Sequence, residues 1–443
     1  MKILLIQPPR RGLSFELGPI EPLGLETIAG CIQNHEVRII DMRIDTDLKS
    51  NLDNFQPDIV GITSVTAEVN VASRVLQSVK NYCKDILTVV GGVHATMIPE
   101  DFNKEFVDII VIGEGEITFQ ELVETYRHNG DFTKVAGLGL PGKKQLYFTP
   151  SRELIKDLND IPLPKRSLTK KYRQYYSRGS WRPLGALYST RGCPFHCNFC
   201  CCWVVSNATF RTRGVESFID DLKSIEEPYI FVADDNTILD FGYCERLYQA
   251  VKEEGIKKKY EFYGRADGIA KRPDLIEKWK SVGLELMLVG FEAISDDDLK
   301  KYNKSSNIKK NETTVNILKQ NEVEIIAYFL IDPNFSKEDF NRLSEYVKIM
   351  ELTHPMFLIL TPFPGTELYK QRRHEIISDN YELYDFIHCV FPTKLPEKEF
   401  YKCYIDLIRE TYLSREKAVS EKSVFSNQLI EKEIKILEKE YGL

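Results

Sequence analysis

The sequence predicts an α/β protein with an N-terminal doubly wound parallel sheet, a partial (β/α)6 barrel and a helical C-terminal tail. Short β-branched runs alternate with helical patterns along most of the chain, which is typical of parallel sheets covered by helices. The chain has 443 residues, more than one hydrophobic core usually serves. We therefore divide it into an N-terminal domain (1–131), a linker (132–185), a barrel (186–373) and a C-terminal extension (374–443).

The N-terminal domain contains five candidate strands. They read KILLIQ, EVRIIDM, DIVGITS, LTVVGG and DIIVIGEG, and their apolar character is typical of strands covered on both faces. Doubly wound sheets bind ligands at the carboxyl ends of their strands. Here those ends read QPP, TSVTAE, GGVHAT and GEGE. Small, glycine-rich or hydroxyl-bearing ends allow a large ligand to approach the backbone closely.

The linker is less regular, and the prolines of DIPLPKR disfavour a helix there. Six further candidate strands follow: ALYST, YIFVAD, YEFYGR, LELMLVG, EIIAYFLI and MFLILTPF. Six strand–helix units are too few for a closed eight-stranded barrel, so they favour an open barrel with its chemistry at the strand carboxyl ends. In the extension, EFYKCYIDLIRETYL is expected to pack one apolar face on the barrel. The last segment, EKSVFSNQLIEKEIKILEKEYGL, is expected to form a surface helix.

Composition restricts the compartment and the partners. The net charge is −7 with both signs interspersed, so the overall charge does not attract the chain to nucleic acid. The first residues, MKILLIQPPR, contain too short an apolar run for a signal peptide, and no run reaches the ~20 apolar residues of a membrane span. We expect a cytoplasmic protein with reduced thiols, in which clustered cysteines serve metal binding or catalysis rather than disulfides.

The stretch RGCPFHCNFCCCW, residues 191–203, contains five of the ten cysteines. Cys193, Cys197 and Cys200 stand in the spacing C-x-x-x-C-x-x-C. Thiolates hold iron–sulfur clusters, and three of them on a four-iron cluster would leave one iron open to a substrate. The spacing therefore favours an open 4Fe–4S cluster.

Two alternatives to a cluster stay open from the spacing alone. Structural zinc requires four closed ligands, commonly from two C-x-x-C knuckles, and no second knuckle exists here. His196, Cys201 or Cys202 could supply a fourth ligand, although neighbours of ligating residues in a tight loop tend to point away from the metal. The other alternative is a loop that binds no metal.

The placement of this motif after the first strand of a partial barrel resembles the radical S-adenosylmethionine (SAM) superfamily. Phe199 matches the aromatic residue usual between its second and third cysteines. The resemblance implies that the fourth iron chelates the amino and carboxylate groups of SAM. One electron from the cluster then cleaves SAM to methionine and a 5′-deoxyadenosyl radical, which abstracts hydrogen from an inert carbon.

Other barrel strand ends supply polar residues for a SAM pocket. Carboxylates and an arginine complement the ammonium, the carboxylate and the ribose hydroxyls of SAM. The alternative is that these residues form salt bridges at the barrel rim. With the aromatic of the cysteine loop, the candidate SAM-binding residues are Phe199, Asp234, Asp235, Arg265 and Glu292.

The N-terminal domain resembles the cobalamin-binding half of cobalamin-dependent radical SAM proteins. The resemblance rests on LLIQPP, EPLGLETIAG, DIVGITSVTAEV, VVGGVHATMIPED and IVIGEGEITFQEL in this order. DLNDIPLPKR resembles the linker of the same group, and YDFIHCVFPTKLPEKEF resembles its C-terminal segment. The resemblance of the N-terminal domain implies a cobalamin site formed by Gln7, Ser64, Thr66, Gly91, Gly92, His94, Gly113 and Gly115.

This chain departs from many cobalamin proteins in the motif that supplies the lower ligand of cobalt. Many cobalamin proteins carry D-x-H-x-x-G, whose histidine takes the lower axial position of cobalt, and this chain has none. The loop PPRRGLSFELGP contains no histidine either. We expect a cobalt without a histidine ligand. The alternative is a domain kept for fold or dimerisation that binds no corrinoid.

The resemblance implies a C-methyltransferase that acts on an unactivated carbon through a 5′-deoxyadenosyl radical and methylcobalamin. It also implies a small-molecule or lipid-like substrate and a cellular one-electron reductant. One alternative is an oxidative cyclase, ring-contraction or rearrangement enzyme with the same domains. Another is a non-catalytic corrinoid or cluster sensor, although a sensor has no need for an open iron. The aromatic residues Phe15, Tyr176, Trp181 and Trp203 either line a substrate cavity or pack the domain interface.

Overall fold

The computed structural model describes residues 1–9, 18–412 and 427–443. Within them, two mainly parallel sheets are joined by an irregular segment. Helices cover both faces of the first sheet and the outside of the second. The predicted fold class is confirmed.

The first sheet has the strand order β2-β1-β3-β4-β5-β6-β7, and β1 to β5 run parallel. One face packs on α1 and α5, and the other on α2, α3 and α4. The strands are β1 (Lys2–Gln7), β2 (Glu36–Asp41), β3 (Ile59–Thr63), β4 (Leu87–Gly91), β5 (Ile109–Val111), β6 (Leu138–Leu140) and β7 (Tyr147–Phe148). The helices are α1 (Leu23–Cys31), α2 (Leu48–Phe55), α3 (Val69–Tyr82), α4 (Val93–Met97) and α5 (Gly115–Arg127).

Strands β6 and β7 lie in the segment that the sequence predicts to be an irregular linker. They add to the sheet in antiparallel orientation, so the sheet extends beyond the expected domain boundary at residue 131. Strands of two or three residues are too short to show a period-two pattern, which is why the sequence did not indicate them. The rest of the segment includes a 3₁₀-helical stretch, Arg166–Tyr175.

The second sheet has the order β15-β14-β13-β12-β11-β8, and all its pairings are parallel. Among the described residues, β8 and β15 form its two edges, so the barrel is open. A ribbon of β9 and β10 follows β8. The strands are β8 (Leu184–Leu187), β9 (Thr190–Arg191), β10 (Arg211–Thr212), β11 (Tyr229–Val232), β12 (Lys259–Arg265), β13 (Leu284–Glu292), β14 (Glu324–Ile331) and β15 (His354–Ile359).

Alternate residues of these strands face two different cores. Leu286 and Leu288 of β13 belong to the cluster inside the barrel, whereas Met287 and Val289 pack outwards against the helices. The helices of the barrel are α6 (Cys202–Val205), α7 (Val215–Ser224), α8 (Phe241–Glu253), α9 (Ala266–Lys271), α10 (Pro273–Ser281), α11 (Asp296–Lys301), α12 (Ile308–Gln320), α13 (Lys337–Ile349) and α14 (Glu367–Arg372).

Two helices complete the C-terminal extension, α15 (Glu397–Tyr412) and α16 (Asn427–Tyr441). As expected, α15 packs an apolar face on the barrel. Helix α16 is more than a surface helix, because Ile430, Ile434 and Leu437 are buried in the barrel's outer core. The first part of the predicted helical segment, residues 421–426, lies outside the described residues. None of the described helices combines the length and the apolarity that crossing a membrane would require.

Candidate functional site

A cavity of about 420 Å³ lies at the carboxyl ends of the central strands of the first sheet. Parallel strands end at the same edge, so β1, β3, β4 and β5 all contribute to it. Its walls are largely apolar and include Leu5, Leu25, Ile28, Val89 and Phe119. Five predicted cobalamin-binding residues line it, namely Gln7, Gly91, Gly92, Gly113 and Gly115.

The backbone conformation requires glycine at two of these positions. Gly92 has φ +99°, and a Cβ there would lie 2.7 Å from Thr63 Oγ1 and 2.8 Å from the Ser64 nitrogen. Gly113 has φ +84°, with nothing within 4 Å of an added Cβ. Side chains rarely adopt this left-handed region, so glycine lets the chain turn and leaves the cavity wall bare.

The other three predicted residues do not line this cavity. His94 is fully buried, with Nδ1 3.2 Å from Thr66 Oγ1 and Nε2 2.9 Å from Asp101 Oδ2. The Tyr381 ring packs against it at 5.0 Å. Ser64 is also buried, and its hydroxyl donates to the Val65 carbonyl. His94 therefore holds α4 in place, and no histidine lines the cavity among the described residues.

A second cavity, of about 260 Å³, adjoins the first and lies between the two domains. Gly92, Gly113, Glu114 and Arg191 line both cavities. The barrel side of the second cavity includes Gly192, Val205, Ser206, Arg211 and Asp235. The two adjoining cavities together reach from the strand ends of the first sheet to the start of the cysteine loop.

Ion pairs around Glu114 connect the two domains, and sequence analysis did not indicate them. The Glu114 carboxylate accepts hydrogen bonds from Arg191 Nη1 at 3.2 Å, Arg211 Nη1 at 2.9 Å and the Ile155 nitrogen at 2.7 Å. Burial acts to raise the pKa of Glu114, but the hydrogen bonds from Arg211 and Ile155 outweigh it and the pKa is lowered. Arg191 also bonds Glu116 at 2.6 Å. Because these partners lie far apart along the chain, only the fold brings them together.

The cysteine loop begins at Gly192, where φ is +88° and a Cβ would overlap the Thr209 carbonyl oxygen. Hydrogen bonds from Cys200 N, 3.1 Å, and Trp203 Nε1, 2.9 Å, to the Cys197 carbonyl oxygen hold the loop in shape. The loop is fastened to the barrel rim by Asn198 Nδ2, which donates to the Lys301 carbonyl oxygen at 2.9 Å. These contacts place the loop above the carboxyl end of β8.

The thiols of this loop form no disulfide, which leaves them available to bind a cluster. All ten cysteines are free; Cys197 is buried, and Cys193 and Cys200 are partly exposed. Burial raises the pKa of the Cys193 and Cys197 thiols, whereas a hydrogen bond from Cys202 lowers that of Cys200. In the part of the chain that the structure describes, no three His, Cys, Asp or Glu side chains converge on one metal-ion position. A four-iron cluster does not require such convergence, because each thiolate binds a different iron.

The two aspartates predicted to bind SAM have different surroundings. Asp234 is buried and accepts hydrogen bonds from Ser189 N at 2.7 Å, Ser189 Oγ at 2.5 Å and Thr190 N at 2.9 Å. Burial raises its pKa to about 6, although these hydrogen bonds act to lower it. Asp235 accepts from Gly192 N at 2.9 Å and lines the interdomain cavity. Asp234 thus holds the turn after β8, and Asp235 faces the open space.

Glu292 ends β13 with φ +67°, at a register shift between β13 and β14. Its carboxylate is buried and lies 2.6 Å from the ammonium of Lys304, a residue that the sequence analysis missed. The guanidinium of Arg265 is also buried and has protein partners at all three nitrogens. Phe199 packs edge-on against Tyr302, with ring centroids 6.0 Å apart.

The aromatic candidates for a substrate cavity serve packing instead. Tyr176 is fully buried, and Trp181 stacks on Tyr229 with ring centroids 5.0 Å apart. Trp203 donates to the loop carbonyl described above, and neither cavity is lined by these three side chains. Phe15 lies outside the described residues.

Comparison with known proteins agrees with this architecture. The model of the B12 binding domain matches residues 17–123, and the model of the Radical SAM superfamily matches residues 187–347. The hopanoid C-3 methylase of Methylococcus capsulatus is 29% identical over 410 residues, which cover 90% of this chain and 78% of the relative. The anaerobic magnesium-protoporphyrin IX monomethyl ester cyclase of Cereibacter sphaeroides is 23% identical, with 94% and 71% covered.

A solved structure extends the likeness to the whole fold. The structure of the cobalamin-dependent SAM radical enzyme OxsB, with aqua-cobalamin and SAM bound, superposes with a TM-score of 0.75 at 17% identity. The match covers 100% of this chain and 71% of OxsB. Fold and matched domains define an enzyme that uses SAM and a corrinoid. The chain belongs to the cobalamin-dependent radical SAM enzymes, and its cofactors are cobalamin, SAM and a 4Fe–4S cluster.

Proposed function

We propose that this protein is a C-methyltransferase that acts on an unactivated carbon of a small or lipid-like molecule. The observation that carries the proposal is that the two cavities adjoin and share four lining residues. The strand ends of the first sheet and the start of the cysteine loop open into adjoining spaces, with Arg191 and Glu114 lining both. A substrate carbon held there would be reached from both cofactor sites, and such positioning supplies much of the catalysis.

In this proposal, different residues of the chain would bind the cluster, SAM and cobalamin. Cys193, Cys197 and Cys200 hold the cluster and leave one iron open, while Asp235 and Glu292 face SAM. The strand ends at Gln7, Gly91, Gly92, Gly113 and Gly115 would hold cobalamin. When bound, the cluster supplies the electron that cleaves SAM, and cobalamin carries the methyl group. The ion pairs of Glu114 with Arg191 and Arg211 keep the two sites facing each other.

The relatives support this substrate class and also define the second candidate. A methylase of hopanoids is a relative that acts on a lipid, and a cyclase of a magnesium porphyrin ester is similar over most of the chain. The second candidate is therefore an oxidative cyclase or rearrangement enzyme with the same domains. We place the reaction in the cytoplasm, where thiols stay reduced and a one-electron reductant protein can serve the cluster.

Product stoichiometry tests the proposal. Anaerobic protein with cluster and cobalamin is incubated with SAM, a one-electron reductant and a panel of polycyclic lipids and tetrapyrroles. We expect 5′-deoxyadenosine, S-adenosylhomocysteine and a product heavier by one methylene, in nearly equal amounts. Deoxyadenosine with product but without S-adenosylhomocysteine would instead establish the cyclase or rearrangement. If the reduced protein cleaves no SAM with any member of the panel, the methyltransferase and the cyclase assignments are both contradicted.

A further inference from the structure

The outer side of the cysteine loop lies at the protein surface. Pro194 and His196 are exposed, whereas the neighbouring Cys197 is buried. The 4Fe–4S cluster must receive an electron from outside the protein, and electron transfer slows steeply as the distance between donor and acceptor grows. A reductant that reaches the exposed side of the loop is separated from the candidate cluster ligands by a few residues only. The surface around Pro194 and His196 therefore offers a short route for the electron.

Two segments of the barrel rim pack directly on this loop. The first is the end of α11 with the residues that follow it. Asn198 Nδ2 donates to the Lys301 carbonyl oxygen at 2.9 Å, and Asn303 Nδ2 donates to the His196 carbonyl oxygen at 2.7 Å. The second segment is α14, where Leu368 N donates to the Asn198 carbonyl oxygen at 2.8 Å. Apolar side chains of both segments and of the loop also pack together, namely Leu299, Tyr302, Leu368 and Phe199.

The same two segments carry an excess of cations. Residues 299–304 and 366–374 contain six Lys and Arg residues and one carboxylate, although the whole chain has a net charge of −7. Half of these cations have a carboxylate oxygen at 2.6 Å, namely Lys301, Lys304 and Arg372. The other half are exposed and have no ion-pair partner among the described residues, namely Lys300, Lys370 and Arg373. The exposed side of the loop is therefore bordered by uncompensated positive charge.

We propose that these two segments, residues 299–304 and 366–374, form a cationic rim that docks an acidic one-electron carrier protein. The docked carrier loses one electron and the cluster gains it, and no bond forms or breaks. Exposed cations attract a partner of opposite charge and speed its association. Because the rest of the chain is negatively charged overall, it repels the same partner and directs it to this face. This deepens the proposed function, since it locates the reductant that the reaction requires.

Charge reversal tests the docking surface, with a ferredoxin of strongly negative net charge as the probe. The rim variant combines Lys300→Glu with Arg373→Glu in anaerobically reconstituted protein. The control combines Lys257→Glu with Lys259→Glu, which changes the net charge equally at exposed lysines where β12 begins, at the opposite end of the barrel. We expect the rim variant to bind ferredoxin at least about tenfold more weakly at low salt, and the control to stay within about twofold of wild type. Lys370→Glu, a single reversal, should give a smaller loss in the same direction.

The rate of electron transfer supplies the second readout, measured by stopped-flow bleaching of the cluster absorbance with reduced ferredoxin. The rate constant of wild type should fall as ionic strength rises, because salt screens the attraction, and that of the rim variant should be about tenfold lower and less sensitive to salt. Dithionite needs no docking surface, so it should reduce the cluster of every variant to the same extent. If the control slows as much as the rim variant, or if salt does not affect wild type, the proposal is refuted.

A second copy of this chain is the alternative occupant of the cationic rim. If sedimentation shows a wild-type dimer and a monomeric rim variant, while both react with ferredoxin at the same rate, the rim joins two copies and the proposal is overturned.

Neither readout depends on methyl transfer. If the rim variant loses ferredoxin binding as expected but wild type forms no methylated product, the docking surface stands and the methyltransferase proposal fails. If wild type methylates its substrate but the rim variant reacts normally with ferredoxin, the docking surface fails alone.

Discussion

The residues of the candidate site differ in whether their polar atoms already have hydrogen-bond partners within the protein. Asp234, Arg265 and His94 are buried with hydrogen-bond partners, whereas Asp235 lines the interdomain cavity. A buried polar group without partners is costly, so each of these side chains is satisfied by the fold before any ligand arrives. Residue type and strand-end position therefore identify candidates, and the surrounding partners decide their roles.

The buried carboxyl of Asp234 leads us to predict how the free energy of unfolding changes with pH. Burial raises its pKa from 3.8 to about 6, so the folded protein keeps this proton to a higher pH than the unfolded chain does. Its contribution to stability is present at about pH 4 and is lost as the pH rises through about 6. We expect the free energy of unfolding of wild type, relative to Asp234→Asn, to fall by about 2 kcal/mol between about pH 4 and about pH 7. Urea unfolding of the cofactor-free proteins measures this, and a constant or rising difference contradicts it.

A second prediction for single residues concerns which cysteines of the loop bind the cluster. Changing Cys193, Cys197 or Cys200 to Ala should remove most of the iron and abolish SAM cleavage, because a cluster held by two thiolates is labile. Cys201→Ala and Cys202→Ala are the matched controls in the same loop and should keep the iron. Iron content and 5′-deoxyadenosine formation after anaerobic reconstitution measure both. Iron loss in Cys201→Ala with iron retained in Cys193→Ala would reverse the ligand assignment.

At the scale of elements, both sites are built where parallel strands end. The ends of β1, β3, β4 and β5 bound the first cavity, and β8 is followed by the turn that leads into the cysteine loop. Gly92 and Gly192 adopt positive φ at these turns and pack directly against neighbouring backbone. A large residue at Gly92 would therefore disturb the fold itself and could not serve as a steric test of ligand binding.

Gly24, in the first turn of α1, offers a cleaner steric test of the cobalamin site. It lines the cavity, and no atom of the described residues lies within 4 Å of an added Cβ. We expect Gly24→Phe to weaken cobalamin binding about tenfold or more by occupying the cavity, while the free energy of unfolding changes by less than about 1 kcal/mol. Equilibrium titration with cobalamin, followed by absorbance, measures the affinity.

The control for this test is Gly242→Phe, at the same position of helix α8. An added Cβ there makes only ordinary contacts, at 3.5 Å with Asp240 and 3.6 Å with Arg246. This variant should bind cobalamin like wild type. Equal affinity of Gly24→Phe and wild type would show that cobalamin does not occupy this cavity.

At the scale of the whole molecule, buried ion pairs hold the linker to both domains. Arg166 Nη1 lies 2.7 Å from Asp221 of the barrel, and its Nε lies 3.8 Å from Glu21, in the segment before α1. Arg173 Nη1 lies 2.8 Å from Glu21 Oε2, and its Nε lies 3.3 Å from Glu227 Oε1. These pairs, together with those of Glu114, set the relative position of the two cofactor sites.

Removing one partner of this network should be strongly destabilising. Arg166→Met leaves the buried Asp221 with fewer compensating charges, and we expect the free energy of unfolding to fall by about 3 kcal/mol. The control in the same 3₁₀-helical stretch is Lys171→Met, because the exposed pair of Lys171 with Asp45 contributes less than about 1 kcal/mol. Urea unfolding measures both. Similar midpoints for the two variants would show that the network does not stabilise the domain arrangement.

Sequence by itself determined the features that local patterns carry. The β-branched runs alternating with helices predicted both sheets, and the spacing of Cys193, Cys197 and Cys200 predicted the cluster loop, because both patterns depend on residues close together in the chain. Strand ends also predicted the glycines that line the first cavity, since parallel strands end at one edge.

Only the tertiary structure decided which polar groups are available. The guanidinium of Arg265 already contacts Cys197 and the Lys304 carbonyl, which lies 39 residues along the chain. His94 does not line the cavity, and its two ring nitrogens bond Thr66 and Asp101 instead. Lys304 and Glu114 could not be recognised from sequence, because their roles depend on partners that distant elements bring together. Hydrogen bonds and ion pairs act over a few ångströms in space, whereas sequence patterns report only neighbours along the chain.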